Sequence, residues 1–437
     1  MPALRTPSLD RLRREGTTLS HGFANCPICM PARFTWFFGL YPSQVAARLL
    51  TNAHDWPQGL PSFTQRLQQA GYRTALVGKL HSHAGLYRCD LRDRAAEVLG
   101  RGFDDVVEVS GKSLANWFDC DWTEHLRQRG LLDQYRDELK WRGELTGGIG
   151  PHAPTFLKTA DTADGFIAEQ ATAWLQQREP NRPFFLHVSF CGPHFPVDPP
   201  KAFFDRYDPR DMPAPEGHVD PARIDGFRKR RAAYCGLVEQ IDQHVGELLD
   251  TLARQDALEN TAVIFTTDHG DMLGHHGRTD KARPEDTSCR TPVIIRYPRA
   301  VPPGRTLDGM VEAVDLPCTI LDAAGAWTPD ALPGTPGRSF WPYVQGRREE
   351  HRNHVYSECG LPPSGWRMCR SRDWKYVIWD EGGQTLFSMG NDPWEQQNLA
   401  EQDDQQARPA EMRYQMLHSH RMAIAPNRDA GPPSVER

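Results

Sequence analysis

Three times along this chain a helical stretch gives way to a short apolar run, and each run stops on a turn carrying Lys, His or Asp. Pro61 to Ala70 ends at Gly71 and leads into Tyr72 to Val77, which runs onto Gly78-Lys79. Ala163 to Gln177 breaks at Pro180 to Pro183 and leads into Phe184 to Phe190, followed by Cys191-Gly192-Pro193-His194. Arg230 to Gln255 precedes Thr261 to Thr267, which ends on Asp268-His269. Continuous β-rich runs of this kind are what a parallel sheet buried on both faces requires. Such sheets hold their ligands at the carboxyl ends of the strands. The expected fold is therefore α/β, with a mostly parallel or mixed central sheet flanked by helices.

The rest of the chain fills in around that frame. Thr6 to Gly16 reads as a short amphipathic helix, with Leu9 and Leu12 at helical spacing and Gly16 as its stop. Beyond about residue 350 the pattern changes to short strand-like pieces at His354 to Glu358, Trp366 to Arg370, Lys375 to Trp379 and Thr385 to Ser388. We expect a catalytic domain over 1–350 and a small antiparallel α+β subdomain over 351–437, with a frayed tail from Pro426. Gly111 to Pro154, rich in Trp, Arg and Glu, reads as an insertion over the site.

Composition excludes several classes. The 437 residues carry 51 Lys+Arg against 57 Asp+Glu, a net charge of −6, so no nucleic-acid partner is expected. No apolar run approaches the ~18–20 residues of a membrane span, and no membrane partner is expected. Met1 to Ser20 holds Arg5, Arg11, Arg13 and Arg14 without an apolar core, so the chain as given reads as cytoplasmic. Ten Cys at low density read as buried reduced thiols.

The chemistry gathers in a few segments. Asn25-Cys26-Pro27-Ile28-Cys29-Met30-Pro31-Ala32-Arg33 sets Arg33 one helical turn beyond Cys29, where its guanidinium can hold a group at position 29. A CxxC redox or zinc pair of Cys26 and Cys29 is the plain alternative, although no second close pair completes a zinc site. Lys79 and His81 alternate on one side of an extended chain and can point at one ligand. His83 lies on the same alternation and reads as structural. His194 stands in a loop after a strand, between two prolines. Asp268 offers carboxylate oxygens to a hard cation and His269 adds nitrogen, leaving Mn²⁺ or Zn²⁺ open beside Ca²⁺ and Mg²⁺. Asp271, His275 and His276 read as loop-stabilising, with His276 a second candidate to face substrate. Trp117, Trp122, Trp141 and Trp366 fit either an aromatic rim or the core.

Taken together, Cys29-x-Pro31-x-Arg33, Gly39 with Tyr41-Pro42, Gly78-Lys79-x-His81, Pro193-His194-x-Pro196 and Asp268-His269-Gly270 followed by Lys281 resemble the type I, formylglycine-dependent sulfatases of the alkaline phosphatase superfamily. The resemblance implies an alkaline-phosphatase-like fold. It implies a formylglycine made from Cys29 by a formylglycine-generating enzyme, and a divalent metal, first of all Ca²⁺, held by Asp268, His269 and the residue at 29. It implies that Lys79 and Lys281 bind sulfate, that Arg33 and His81 contact the nucleophile and that His194 approaches the ester oxygens. The expected reaction is hydrolysis of a small sulfate ester or sulfamate.

Two features depart from the family pattern. Its members begin with a strand ending in Asp-Asp, whereas here Met1 stands just ahead of the first helix; the catalytic domain is expected to lack that strand. Asp104-Asp105 and Asp403-Asp404 are the nearest lookalikes, and neither follows an apolar strand near the start. Phe34-Thr35-Trp36-Phe37-Phe38 is bulkier than the usual flank after the nucleophile. The other functions weighed are a phosphonate monoester or phosphodiester hydrolase using the same site, and a truncated, non-catalytic homologue that binds anions.

Overall fold

The computed structural model describes residues 1, 4–84, 89–144, 152–402 and 407–424. Asp403-Asp404 and the tail from Pro426 lie outside them. Among the described residues the larger region has two main sheets and a two-stranded parallel pair of Cys89–Asp90 with Phe118–Asp119. In the three-stranded one Arg73–Gly78 lies between Asp105–Glu108 and Phe184–Ser189, parallel to both. In the four-stranded one the order is Val263–Thr266, Arg290–Arg296, Thr17–Phe23, Arg305–Glu312; Arg290–Arg296 is antiparallel to both neighbours and the last pair is parallel. The C-terminal region is an antiparallel meander of His354–Cys359, Trp366–Ser371, Trp374–Trp379 and Gln384–Ser388, with the helix Ala407–Ile424 after it.

Helices cover both faces. Pro7–Glu15 lacks a cap of its own, and Asp242 on the long helix Ile224–Arg254 supplies one: its carboxylate accepts the Ser8 and Leu9 amides at 3.0 and 2.7 Å. The helix Cys29–Phe38 is buried along its whole length and ends on Gly39, whose φ of 63° suits a left-handed cap. Its aromatic flank is core: Phe34 and Phe37 pack among Trp56, Phe63 and Phe103, each worth roughly 1.5–3 kcal/mol of burial.

Three expectations are modified. The strands Phe184–Ser189 and Val263–Thr266 are mostly half-buried rather than buried on both faces, because each is paired along one edge and faces a cavity along the other. The segment expected as an insertion folds as helices Asp121–Gln128 and Leu132–Glu144, and the first packs its own apolar cluster with Trp122, Leu126 and Tyr135 beside Val77. Trp122 and Trp366 are core rather than rim, with indole N–H groups donated to the carbonyls of Asp161 and Ala282, while Trp117 and Trp141 are exposed.

The C-terminal sheet is bolted to loops of the larger region. Glu358 donates its amide to the Asn25 carbonyl, four residues before Cys29, at 2.8 Å. Trp366 reaches Ala282, next to Lys281, at 3.1 Å, and Lys375 reaches the Pro284 carbonyl at 2.9 Å.

Candidate active site

Cys29 is the first residue of its helix, so its side chain sits where unpaired amides and the helix dipole favour negative charge. Arg33, one turn on, ties that helix to both sheets. Its Nε donates to Asp268 Oδ2 at 3.0 Å and its Nη1 to Ser189 Oγ at 2.9 Å and to the Lys79 carbonyl. The ends of three strands are thereby pinned around one guanidinium.

Lys79 and His81 follow the strand Arg73–Gly78. Gly78 has a φ of 116°, and a Cβ there would lie 2.1 Å from the Ser189 carbonyl oxygen, so only glycine lets the chain turn Lys79 inward. His81 is itself left-handed at φ 60°, a strained conformation for a non-glycine residue and one that concentrates at functional sites. Burial first, and then Lys79, push its imidazole down to about 4, so it is neutral and hydrogen-bonds towards Cys29.

His194 is set by Asp164, at the start of the helix Ala163–Gln177, whose Oδ1 accepts the amides of Cys191 at 2.6 Å and Gly192 at 3.0 Å. His194 places its Nδ1 2.8 Å from the Phe195 carbonyl, which makes it the donor there and leaves Nε2 to accept from Lys281 Nζ at 3.0 Å. His269 repeats the arrangement: Nδ1 is 2.8 Å from the Gly270 carbonyl and Nε2 is 3.3 Å from Cys29 Sγ.

Charge follows from this packing. Burial alone would raise the Cys29 thiol, but Lys79, His269 and Lys281 outweigh it and hold it well below its ordinary value. Burial likewise opposes ionisation of Asp268, yet His269 and Arg33 bring it down to about 2. His269 is raised despite burial by Asp268 and Cys29, and Lys281 is lifted to about 12 by Cys29 and Asp280. Lys79 is lowered chiefly by burial.

All the residues expected from the motifs (Cys29, Arg33, Lys79, His81, His194, Asp268, His269 and Lys281) are gathered here. Cys26 is not; its thiol is buried beside Cys359, burial and that neighbour push it well above its ordinary value, and both Cys26 and Cys29 are free thiols. His83 pairs with Asp55 at 3.8 Å away from the site. Asp271 holds the Leu273 amide and Arg230, His275 stacks on Trp394 at 4.6 Å, and His276 packs against Gly217. Asp105 is bound to Arg73 at the far end of the sheet. Motif reading missed Asp164, whose only sequence signal is an acid at a helix start, and Gly111, whose φ of 107° lets it lie against the Lys79 stem.

Cys29, Asp268 and His269 bring a sulfur, an oxygen and a nitrogen within 4.8 Å of one another. That trio fits a borderline divalent cation in part. It falls well short of the six to eight oxygens that Ca²⁺ takes, and one Asp268 oxygen already serves Arg33.

The sulfatase family model matches residues 1–326, and the model for the C-terminal region of N-sulphoglucosamine sulphohydrolase matches residues 274–422. The chain belongs to the sulfatase family. Among this sulfatase's relatives, the choline-sulfatase of Rhizobium meliloti is 30% identical over 425 residues, covering 91% of this chain and 78% of that protein. The arylsulfatase of Clostridium perfringens is 24% identical, covering 93% and 87%. The crystal structure of the phosphonate monoester hydrolase of Agrobacterium radiobacter superposes with a TM-score of 0.79 at 21% identity, covering 96% of this sulfatase and 92% of that chain, which shows the shared alkaline-phosphatase-like fold. Among the described residues no helix is long and apolar enough to cross a membrane.

Proposed function

We propose that this sulfatase hydrolyses sulfate esters with a formylglycine made from Cys29 as nucleophile. The observation that carries the reading is a buried position 29 ringed by Lys79, Lys281, His81, His194 and His269, a cationic pocket suited to a tetrahedral oxyanion such as a sulfate ester. Cys29 Sγ stands in for the oxygens of the hydrated aldehyde. One hydroxyl attacks sulfur, the S–O bond to the alcohol breaks, and a sulfo-enzyme forms; loss of the proton from the second hydroxyl then restores the aldehyde and expels sulfate.

Lys79 and Lys281 gather the sulfuryl oxygens, and Arg33 fixes the nucleophile's helix against the strand ends. His194, its Nδ1 committed to Phe195 and its Nε2 accepting from Lys281 Nζ, passes a Lys281 proton through Nε2 to the leaving oxygen. His81, neutral and within hydrogen-bond reach of position 29, takes the proton from the second hydroxyl. A divalent cation would be held by Asp268, His269 and the residue at 29 and would supply Lewis-acid stabilisation.

The substrate is a small sulfated molecule, in keeping with relatives named for choline sulfate and aryl sulfates. The test is peptide mass spectrometry after co-expression with a formylglycine-generating enzyme, followed by parallel assays on an aryl sulfate, a sulfamate and a phosphonate monoester. The expected result is a mass at Cys29 below that of cysteine and the fastest turnover on a sulfate ester. Full activity with an unmodified thiol overturns the nucleophile, and a dominant rate on the phosphonate overturns the substrate class.

A further inference from the structure

His194 rides on a loop that is fastened at both ends. From the helix Ala163–Gln177, Asp164 holds its start by accepting the Cys191 and Gly192 amides. Lys112 holds its far end: the Nζ donates to the Pro196 carbonyl at 2.6 Å and to Asp198 Oδ1 at 2.8 Å. Between the two anchors the His194 amide donates to the Cys191 carbonyl at 3.2 Å, and Nδ1 donates to the Phe195 carbonyl at 2.8 Å. The imidazole therefore goes where the loop goes.

The segment that carries Lys112 also touches the other side of the site. It follows the strand Asp105–Glu108, which pairs with Arg73–Gly78, and it passes the Lys79 side chain, where a Cβ on Gly111 would lie 3.4 Å from Nζ. The Lys112 carbonyl accepts the buried Tyr135 hydroxyl at 3.4 Å, from the helix Leu132–Glu144. One short run of chain, braced from behind, thus lies against Lys79 and grips the His194 loop.

The energetics point away from a purely structural pair. The Lys112 and Asp198 side chains are only 5% and 4% exposed, and burial pushes the Asp198 carboxyl up against the pull of Lys112. Taking two ions out of water is costly enough that apolar residues of similar volume are often as stable or more so. What the pair supplies and an apolar contact does not is direction. An ammonium fixed by two oxygens sets Pro196 relative to Gly111 to within a hydrogen bond's length, and misplacing a reacting group by about 1 Å costs ~100-fold.

We propose that Lys112, held by Asp198, is a positioning residue for the reaction: it fixes the His194 loop so that Nε2 meets the leaving oxygen of an ester held at Lys79 and Lys281. Its effect reaches the substrate only through His194. The proposal rests on the role given to His194 under the proposed function, and it carries a signature. A proton matters most to a basic leaving group, so a displaced His194 penalises esters of weakly acidic phenols far more than esters of acidic ones.

The test is a double-mutant cycle on the full chain co-expressed with a formylglycine-generating enzyme, with kcat/KM measured on 4-nitrophenyl sulfate and on 4-methylphenyl sulfate, whose phenol is the more basic. Lys112→Met is expected to slow the 4-methylphenyl ester at least about fivefold more than the 4-nitrophenyl ester, and His194→Ala to show the same bias more strongly. In the His194→Ala background Lys112→Met is expected to add less than about twofold on either ester. The double variant Lys112→Met/Asp198→Leu leaves no stranded carboxylate; it should unfold within a few degrees of the parent and keep the bias, which separates positioning from folding.

Two outcomes overturn the proposal. One is a loss from Lys112→Met that persists undiminished in the His194→Ala background, which means that Lys112 acts elsewhere. The other is an equal loss on both esters that disappears in the stable double variant, which makes the pair structural. Equal losses on both esters from His194→Ala would instead fail the proton role of His194, and the cycle would still decide whether Lys112 acts through it.

Discussion

Two clusters of buried charge in this molecule look alike by composition and differ in how they are closed. Behind the C-terminal sheet, Lys375 Nζ lies 2.5 Å from Asp286 and 2.6 Å from Glu395 and donates to the Pro284 carbonyl at 2.9 Å. Arg370 adds a second cation on Asp286, and the Asp286 amide reaches Glu395 at 2.8 Å. Every charge there has its counter-charge. Around Cys29 the balance is left open: Lys79 is also buried, yet among the described residues no carboxylate bonds to it, and Asp268 is spent on Arg33. A closed network stabilises one packing of the chain, whereas buried cations without acids await an anion from outside.

Substitutions in the two clusters should therefore separate activity from stability. The largest effect is expected for Cys29→Ala, which should lower kcat/KM on an aryl sulfate at least 1000-fold, about 4 kcal/mol, while thermal unfolding stays within about a degree or two of the parent. Unfolding that shifts by ten degrees would place Cys29 among structural thiols. Lys375→Met should do the reverse: chemical denaturation should show a loss of roughly 3–5 kcal/mol from the stranded Asp286 and Glu395, with KM of the folded fraction unchanged. Lys79→Met should cost about 100-fold or more in turnover yet leave stability equal or higher, because an unpaired buried charge is removed; a stability loss like that of Lys375→Met would erase the distinction.

The smallest effect concerns pH. Burial first, and then competition with Asp286 for Lys375, raise Glu395 to about 7, whereas Asp286 is lowered by Lys375 and Arg370 against the effect of burial. The folded chain thus binds more protons at Glu395 than the unfolded chain between about pH 4.5 and 7, so stability falls as pH rises through that window. Asp286 acts oppositely, and its contribution is present above the ordinary carboxylate range and lost as acid protonates it. Glu395→Gln should flatten the decline between pH 4.5 and 7 in urea titrations and leave the acid limb intact. An unchanged slope would mean that Glu395 is ionised throughout.

Much of this was legible in the residues. The runs at Phe184 and Val263 announce strands because apolar and β-branched residues crowd there, and the C-terminal pieces read correctly because turns separate them. Thr17–Phe23 was not read as a strand: its Thr, Ser, His and Gly are poor hydropathy signals, and its place comes from pairing with Arg290–Arg296 and Arg305–Glu312. Lys79, His81, His194, Asp268 and His269 were legible because each follows an apolar strand, and Cys29 and Arg33 because they stand one helical turn apart. Asp164 and Gly111 were not, since one acts through two amides across 27 residues and more and the other by having no side chain. Trp122 and Trp366 could not be sorted between rim and core because an indole serves both, and only the carbonyl that accepts its N–H decides.

The bonds from the C-terminal sheet to Asn25, Ala282 and Pro284 give the boundary near residue 350 a meaning that its position in the chain conceals. A chain cut there would keep every side chain gathered around Cys29, yet the loops that aim Cys29 and Lys281 would each lose a strut. The meander in effect props the loops that frame the anion pocket, and the unit that can evolve, be engineered or fail as one piece is the pair of regions together.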